Sequence, residues 1–85
     1  MAYFKSDKII EKPIENYIAV LDVDSEQCYK LEDVAKFIWE NIENNEFENI
    51  LQLVSKEFSC DKESIRGDIE EFIEQLLEKK LIVEL

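Results

Sequence analysis

The feature that most constrains the fold is residues 58–82, which have the pattern of one long amphipathic helix. Ser59 or Asp61 can accept hydrogen bonds from the free N–H groups of its first turn. Apolar residues then recur at helical spacing, and this stripe consists of Ile65, Ile69, Phe72 and Leu76. Ile73 and Leu77 fall to one side of the stripe, which makes the apolar face wider than one packing partner needs. The helix therefore has either a broad core face or a second occupant along that side.

Length and composition predict one small folded domain over residues 1–85. The chain has 85 residues, 46% of them hydrophobic and 36% charged, which separates it from disordered sequences. A domain of this size has a thin core. No apolar run approaches the roughly 20 residues of a membrane span, and the first residues lack the apolar core of a signal peptide. We therefore expect a cytoplasmic protein.

The residues that usually carry chemistry are scarce. The chain has no histidine, one glycine and two cysteines without CxxC spacing, so it lacks the usual elements of a metal site, a phosphate loop or a histidine-based catalytic site. The carboxylates of the long helix lie on its polar side, where contact with water accounts for their presence without a catalytic role. We expect no cofactor, no metal and no enzymatic activity, and we expect Cys28 and Cys60 to remain unlinked in the cytoplasm.

The charge of the chain limits its partners. Twenty-one acidic against ten basic residues give a net charge of −11. Such a surface repels phosphate backbones and anionic lipids, which disfavours binding to nucleic acids and membranes. Basic or neutral peptides and proteins are better candidates, although the same charge would also keep a small protein in solution.

The order of elements predicts a small α+β fold. Three short strands come first, at Lys8–Glu11, Tyr17–Leu21 and Gln27–Leu31, and the short connection between the last two makes them antiparallel. Three helices follow, from Glu32 to Asn44 or Asn45, from Phe47 to Phe58, and from Asp61 onward. The tail 81–85 is apolar and is expected against the sheet or the last helix. This is a winged helix-turn-helix-like arrangement with an N-terminal three-stranded antiparallel sheet.

Two further expectations follow from this arrangement. Trp39 and Phe72 lie on the apolar stripes of their helices, so both are predicted core residues. A sheet of three sequential strands leaves the backbone groups of its outer strands unpaired unless another element covers them. Such an edge can bind an extended peptide, and it can also support a dimer.

Five short motifs resemble the PqqD-like family, whose members are also called RiPP recognition elements. They are Tyr29-Lys30-Leu31, Ile38-Trp39, Ile50-Leu51 with Val54, Asp68-Ile69 with Phe72 and Leu76, and Leu81-Ile82. The resemblance covers about residues 8–83. The family usually has Asn after the first Leu, Gly-Thr before the second helix and Gly before the closing Leu-Ile. This chain has Glu32, Asn45-Glu46 and Lys80 at those places, which are caps and turns.

The resemblance implies a protein that binds the leader segment of a ribosomally made precursor peptide, as in lasso peptide or PQQ pathways. It implies that the leader adds as a strand to the third strand, lies in the cleft beside the third helix, and is presented to a modifying enzyme or leader peptidase. Mapped onto this sequence, the expected binding residues are Glu26, Gln27, Cys28, Tyr29, Lys30, Leu31, Ile65, Arg66, Ile69, Phe72, Ile73, Leu76 and Leu77.

Two other functions fit the predicted fold. A winged-helix module that binds DNA has the same elements, but here the third helix has more acidic than basic residues. An acidic protein partner or inhibitor that never meets a leader peptide is the other alternative. Precursor peptides used as bait would distinguish it from a leader-binding protein.

Overall fold

The computed structural model describes residues 1–85, which form five strands and three helices. The strands are β1 (Tyr3–Lys5), β2 (Ile9–Ile14), β3 (Tyr17–Asp22), β4 (Gln27–Glu32) and β5 (Ile82–Glu84). The helices are α1 (Asp33–Asn41), α2 (Phe47–Phe58) and α3 (Lys62–Glu78). Strands β2, β3 and β4 form an antiparallel sheet in that order. The predicted α+β fold, a three-stranded antiparallel sheet followed by three helices, is confirmed.

The helices cover one face of this sheet. Along β3, alternate residues are buried, beginning with Ile18 and Val20, while the residues between them are only half-buried. Helix α1 packs on β3 and β4, and α3 packs on α2 and β5. Trp39 of α1 has no exposed surface, as predicted, and its indole N–H donates to Glu11 Oε1 at 3.2 Å. None of the three helices is long and apolar enough to cross a membrane.

The chain ends form a second sheet that the sequence did not predict. Strand β5 pairs antiparallel with β1, with Tyr3 opposite Glu84 and Lys5 opposite Ile82. Three-residue strands are too short to show a period, so only their pairing reveals them. Tyr3, Leu81 and Ile82 are buried in the core. The C-terminal tail is thus held beside α3 by strand pairing with the N-terminus.

Several predicted boundaries were wrong. Helix α1 ends at Asn41, because the backbone of Asn44 and Asn45 leaves the helix to exchange hydrogen bonds with Tyr3 of β1. It begins at Asp33, since Glu32 still belongs to β4. Pro13, predicted to end the first strand, lies inside β2, which an edge strand tolerates.

The orientation of α3 also differs from the prediction. Its buried residues are Ile69, Ile73 and Leu76, whereas Phe72 and Leu77 are half-buried. Ile73 therefore belongs to the core, and Phe72 lies at the margin of the helix face. The stripe is rotated because α3 packs against both α2 and β5. The tail was expected against the sheet or the last helix, but its pairing with β1, which fixes where it lies, was not predicted.

The C-terminus of α3 forms a Schellman motif around Lys80. The N–H of Leu81 donates to the carbonyl of Leu76, and the N–H of Lys80 donates to the carbonyl of Leu77, each at 3.0 Å. Lys80 has a φ of 60°, in the left-handed region that favours glycine. A lysine at this position therefore forms the motif at a cost in backbone strain.

Replacing Lys80 with Gly should stabilise the protein. Relief of the left-handed strain is expected to contribute about 1 kcal/mol, which raises Tm by about 4–8 °C in a domain of this size. The matched control is Lys79→Gly, since Lys79 has a φ of −78° and no strain to relieve. Thermal unfolding followed by circular dichroism tests the pair, and an equal gain in both variants would contradict this account of Lys80.

Candidate functional site

The outer edge of β4 carries unpaired backbone groups. The N–H of Val23 donates to the carbonyl of Lys8, so the odd-numbered residues of β3 bond to β2 and the even-numbered ones bond to β4. The residues of β4 that face these even-numbered partners are Gln27, Tyr29 and Leu31. It follows that Cys28, Lys30 and Glu32 direct their N–H and C=O groups away from the sheet. This edge can accept another strand.

The other edge, on β2, is blocked at one point by Pro13. Pro13 lies opposite Ile18, whose hydrogen bonds go to β4, so the imino nitrogen of Pro13 faces the open side of β2. A proline there removes one of the donors that an added strand would need. Strand β4 has no proline. The two edges are therefore not equivalent, and β4 is the better one for pairing.

A cleft lies between β4 and the C-terminal half of α3. Its volume is about 140 Å³, and it is lined by Tyr29, Lys30, Leu31, Phe72, Gln75, Leu76, Lys79 and Leu81. Five of these eight residues are hydrophobic and none is acidic. The cleft runs beside the unpaired edge, so a strand added to β4 would place side chains in it.

The polar groups of the cleft are few. The Tyr29 hydroxyl donates to Gln27 Oε1 at 3.1 Å, which fixes the ring at one end of the cleft. The Lys79 ammonium lies 5.9 Å from the centroid of the same ring. Gln75 supplies an amide from α3. Such a site can bind an extended, mainly apolar peptide through backbone bonds and one or two side-chain contacts.

The structure places the predicted binding residues in three groups. Those that line the cleft are Tyr29, Lys30, Leu31, Phe72 and Leu76, with Glu26, Gln27 and Cys28 on or before the same strand. Ile69 and Ile73 are buried in the core and do not line the cleft. Ile65, Arg66 and Leu77 are partly buried and do not line the cleft.

Arg66 has a structural partner away from the cleft. Its guanidinium donates to both carboxylate oxygens of Glu48 on α2, at 2.6 and 3.4 Å, and to Glu63 at 3.3 Å. The hydrogen bond from Arg66 lowers the pKa of Glu48 below its usual value, and these carboxylates raise the pKa of Arg66. Arg66, a predicted binding residue, thus joins α2 to α3.

Sequence reasoning missed three lining residues, Gln75, Lys79 and Leu81. Gln75 follows Phe72 by three positions, so helical spacing alone could have placed both on one face. Lys79 caps α3 with a right-handed helical backbone and follows Phe72 by seven positions, so helical spacing also places it on that face. Leu81 comes after the left-handed turn at Lys80, which sets its direction. A periodic pattern contains no information about that turn.

Asp22 holds the turn that begins β4. Its Oδ1 accepts hydrogen bonds from the N–H groups of Asp24 and Ser25, at 3.0 and 3.3 Å, and its Oδ2 lies 3.4 Å from Lys8 Nζ. Burial by itself would raise the pKa of the Asp22 carboxyl, but the hydrogen bonds and Lys8 outweigh it and lower this pKa below its ordinary value. The ionised carboxylate is thus the form that stabilises the turn.

Asp22→Asn should reduce stability in a pH-dependent way. Because the folded-state pKa of Asp22 is lowered, its ionised form contributes stability above the unfolded pKa, and this contribution is lost as pH falls through the folded pKa. The stability gap between parent and variant should therefore stay constant above about pH 5 and shrink progressively as the pH falls below that value. Urea unfolding across this range measures it, and a gap that widens toward acid would have the wrong sign.

No group of three or more His, Cys, Asp or Glu side chains is arranged to hold a metal ion. Both cysteines are exposed and unlinked.

An open strand edge beside a helix is an arrangement that can accept an extended peptide. Residues 17–82 match the family described as coenzyme PQQ synthesis protein D (PqqD), and the chain belongs to this family. No curated protein sequence is significantly similar to it.

Two solved structures share the fold. One is described as TbiB1 in complex with the TbiA(beta) leader peptide; it is 23% identical, with a TM-score of 0.87 over 96% of this chain and 96% of that one. The other is lasso peptide synthetase B1 complexed with the leader peptide; it is 16% identical, with a TM-score of 0.86 over 99% of this chain and 100% of that one. The predicted family is confirmed.

Proposed function

We propose that this protein binds the leader segment of a ribosomally synthesised precursor peptide and presents it to a modifying enzyme or leader peptidase. The observation that carries the proposal is the unpaired edge of β4 beside an apolar cleft. The protein supplies recognition and leaves the chemistry to its partner enzyme.

Strand addition explains how one small domain binds a flexible peptide. The outward N–H and C=O groups of Cys28 and Lys30 would pair with the leader backbone, which gives affinity that depends little on sequence. Alternate leader side chains would then point toward α3 and meet Phe72 and Leu76 in the cleft. Specificity arises from those side chains.

The relatives support the same function. Both structures that share the fold, TbiB1 and lasso peptide synthetase B1, have a leader peptide bound. DNA binding has less support, since α3 carries seven acidic residues between its cap at Asp61 and its end at Glu78, against Lys62 and Arg66. Arg66 is moreover engaged with Glu48.

Calorimetry with separate leader and core peptides of the precursor tests the function. We expect the leader to bind, the core not to bind, and mass spectrometry to find both peptides unchanged after incubation with the purified protein. Binding to the core alone, or cleavage of either peptide by this protein, would contradict the proposal.

Proline substitutions on β4 test the mode of binding. Cys28→Pro and Lys30→Pro each remove one outward N–H, and each lost bond should cost about 0.5–1.5 kcal/mol of binding free energy, or about 2- to 12-fold in Kd. The matched controls are Cys28→Ala and Lys30→Ala, which lose the side chain and keep the N–H.

NMR maps the site directly. The amide chemical shifts that change when leader is added should cluster in residues 26–31 and along the cleft side of α3. Shifts confined to α1 and α2 would place the site elsewhere.

A further inference from the structure

Lys79 is an unpaired cation at the cleft of an acidic protein. Its ammonium lies 5.9 Å from the centroid of the Tyr29 ring and takes part in none of the salt bridges of the structure. The chain has 21 acidic and 10 basic residues, yet no carboxylate lines the cleft. The ammonium of Lys30, the other basic lining residue, lies 4.6 Å from the Tyr17 ring, on the outer face of the sheet. Lys79 is therefore the cation that a peptide in the cleft would meet.

The register of an added strand fixes which peptide side chains reach the cleft. Cys28 and Lys30 would bond to the peptide backbone, so the peptide residues opposite Tyr29 and Leu31 would direct their side chains toward α3, as those two residues do. These two peptide positions are separated by one residue. The position opposite Leu31 adjoins apolar lining, and the position opposite Tyr29 lies beside Lys79.

We propose that the bound peptide carries an apolar side chain and a carboxylate two positions apart, and that the carboxylate pairs with Lys79. This inference rests on the proposed strand addition. The order of the two residues depends on the direction of the added strand. A volume of about 140 Å³ suits one branched aliphatic side chain or one ring, since a cavity of about 150 Å³ holds benzene.

The charge of the protein also explains why an acidic residue would be recognised at only one position of the peptide. The net charge of −11 repels carboxylates elsewhere along the peptide, so an acidic residue is favoured where it meets Lys79 and disfavoured at other positions. A basic residue at that position would be repelled by Lys79. The site thus favours leaders that have an acidic residue at this one position.

A phage-displayed library of random peptides tests this inference. Selection on the wild-type protein should enrich an apolar and an acidic residue two positions apart. Lys79→Gln should keep the apolar enrichment and lose the acidic one, whereas the matched control Lys80→Gln, which does not line the cleft, should select as wild type. Acidic enrichment that persists with Lys79→Gln, or is absent with wild type, overturns the role of Lys79.

A double-mutant cycle gives the size of the effect. Replacing the acidic residue of a selected peptide with Gln should weaken binding to wild type about 2- to 5-fold, with a smaller effect at high salt, and should leave binding to Lys79→Gln unchanged. Equal losses on both proteins overturn the pairing. Failure of the proposed function is distinct, because then no selected peptide would be sensitive to Lys30→Pro.

Discussion

Trp39→Ala is expected to unfold much of the protein at room temperature. Trp39 has no exposed surface and lies within the core of 15 buried residues, so its removal leaves a large cavity. Large-to-small changes of this kind cost about 3–5 kcal/mol, and a domain with a thin core has little more than about 5 kcal/mol in total. The variant also leaves Glu11 without its indole donor.

Urea unfolding followed by circular dichroism measures the loss. Val34→Ala is the matched control on the same helix, since Val34 is 37% exposed and its truncation should cost much less. If Trp39→Ala and Val34→Ala unfold at the same urea concentration, the assignment of the α1 face to the core is wrong.

Ile73→Ala and Phe72→Ala, on neighbouring residues, should have opposite consequences. Ile73 is 2% exposed, so its truncation should cost about 2–5 kcal/mol of folding free energy. Phe72 is half-buried and lines the cleft, so its truncation should affect leader binding more than stability. The position of Ile73 beside the predicted stripe had suggested the reverse.

Two measurements on each variant separate these effects. Urea unfolding gives the stability, and calorimetry with the leader peptide gives the affinity of the fraction that remains folded. One result would contradict this account: Phe72→Ala unfolds at a much lower urea concentration than Ile73→Ala and still binds leader as tightly as the parent. The buried stripe of α3 would then be centred on Phe72, and the cleft would not be the binding site.

The local pattern of residues was sufficient to predict most of the helices and the main sheet. The helical spacing of α2 and α3 and the alternation along β3 and β4 appear directly in the order of residues, because side-chain direction follows from backbone geometry. The charge of −11 and the lack of histidine are likewise properties of the sequence alone. Both limit the classes of partner and of chemistry whatever fold the chain adopts.

Contacts between distant parts of the chain determined the features that the local pattern did not predict. The pairing of β1 with β5 joins the two ends of the chain, and it adds packing that rotates the buried face of α3 toward Ile73. The ion pair of Arg66 with Glu48 holds this predicted binding residue between α2 and α3, and Arg66 does not line the cleft. The left-handed turn at Lys80 brought Leu81 to the cleft. Periodicity shows which residues share a face, but only tertiary packing determines which neighbours cover it.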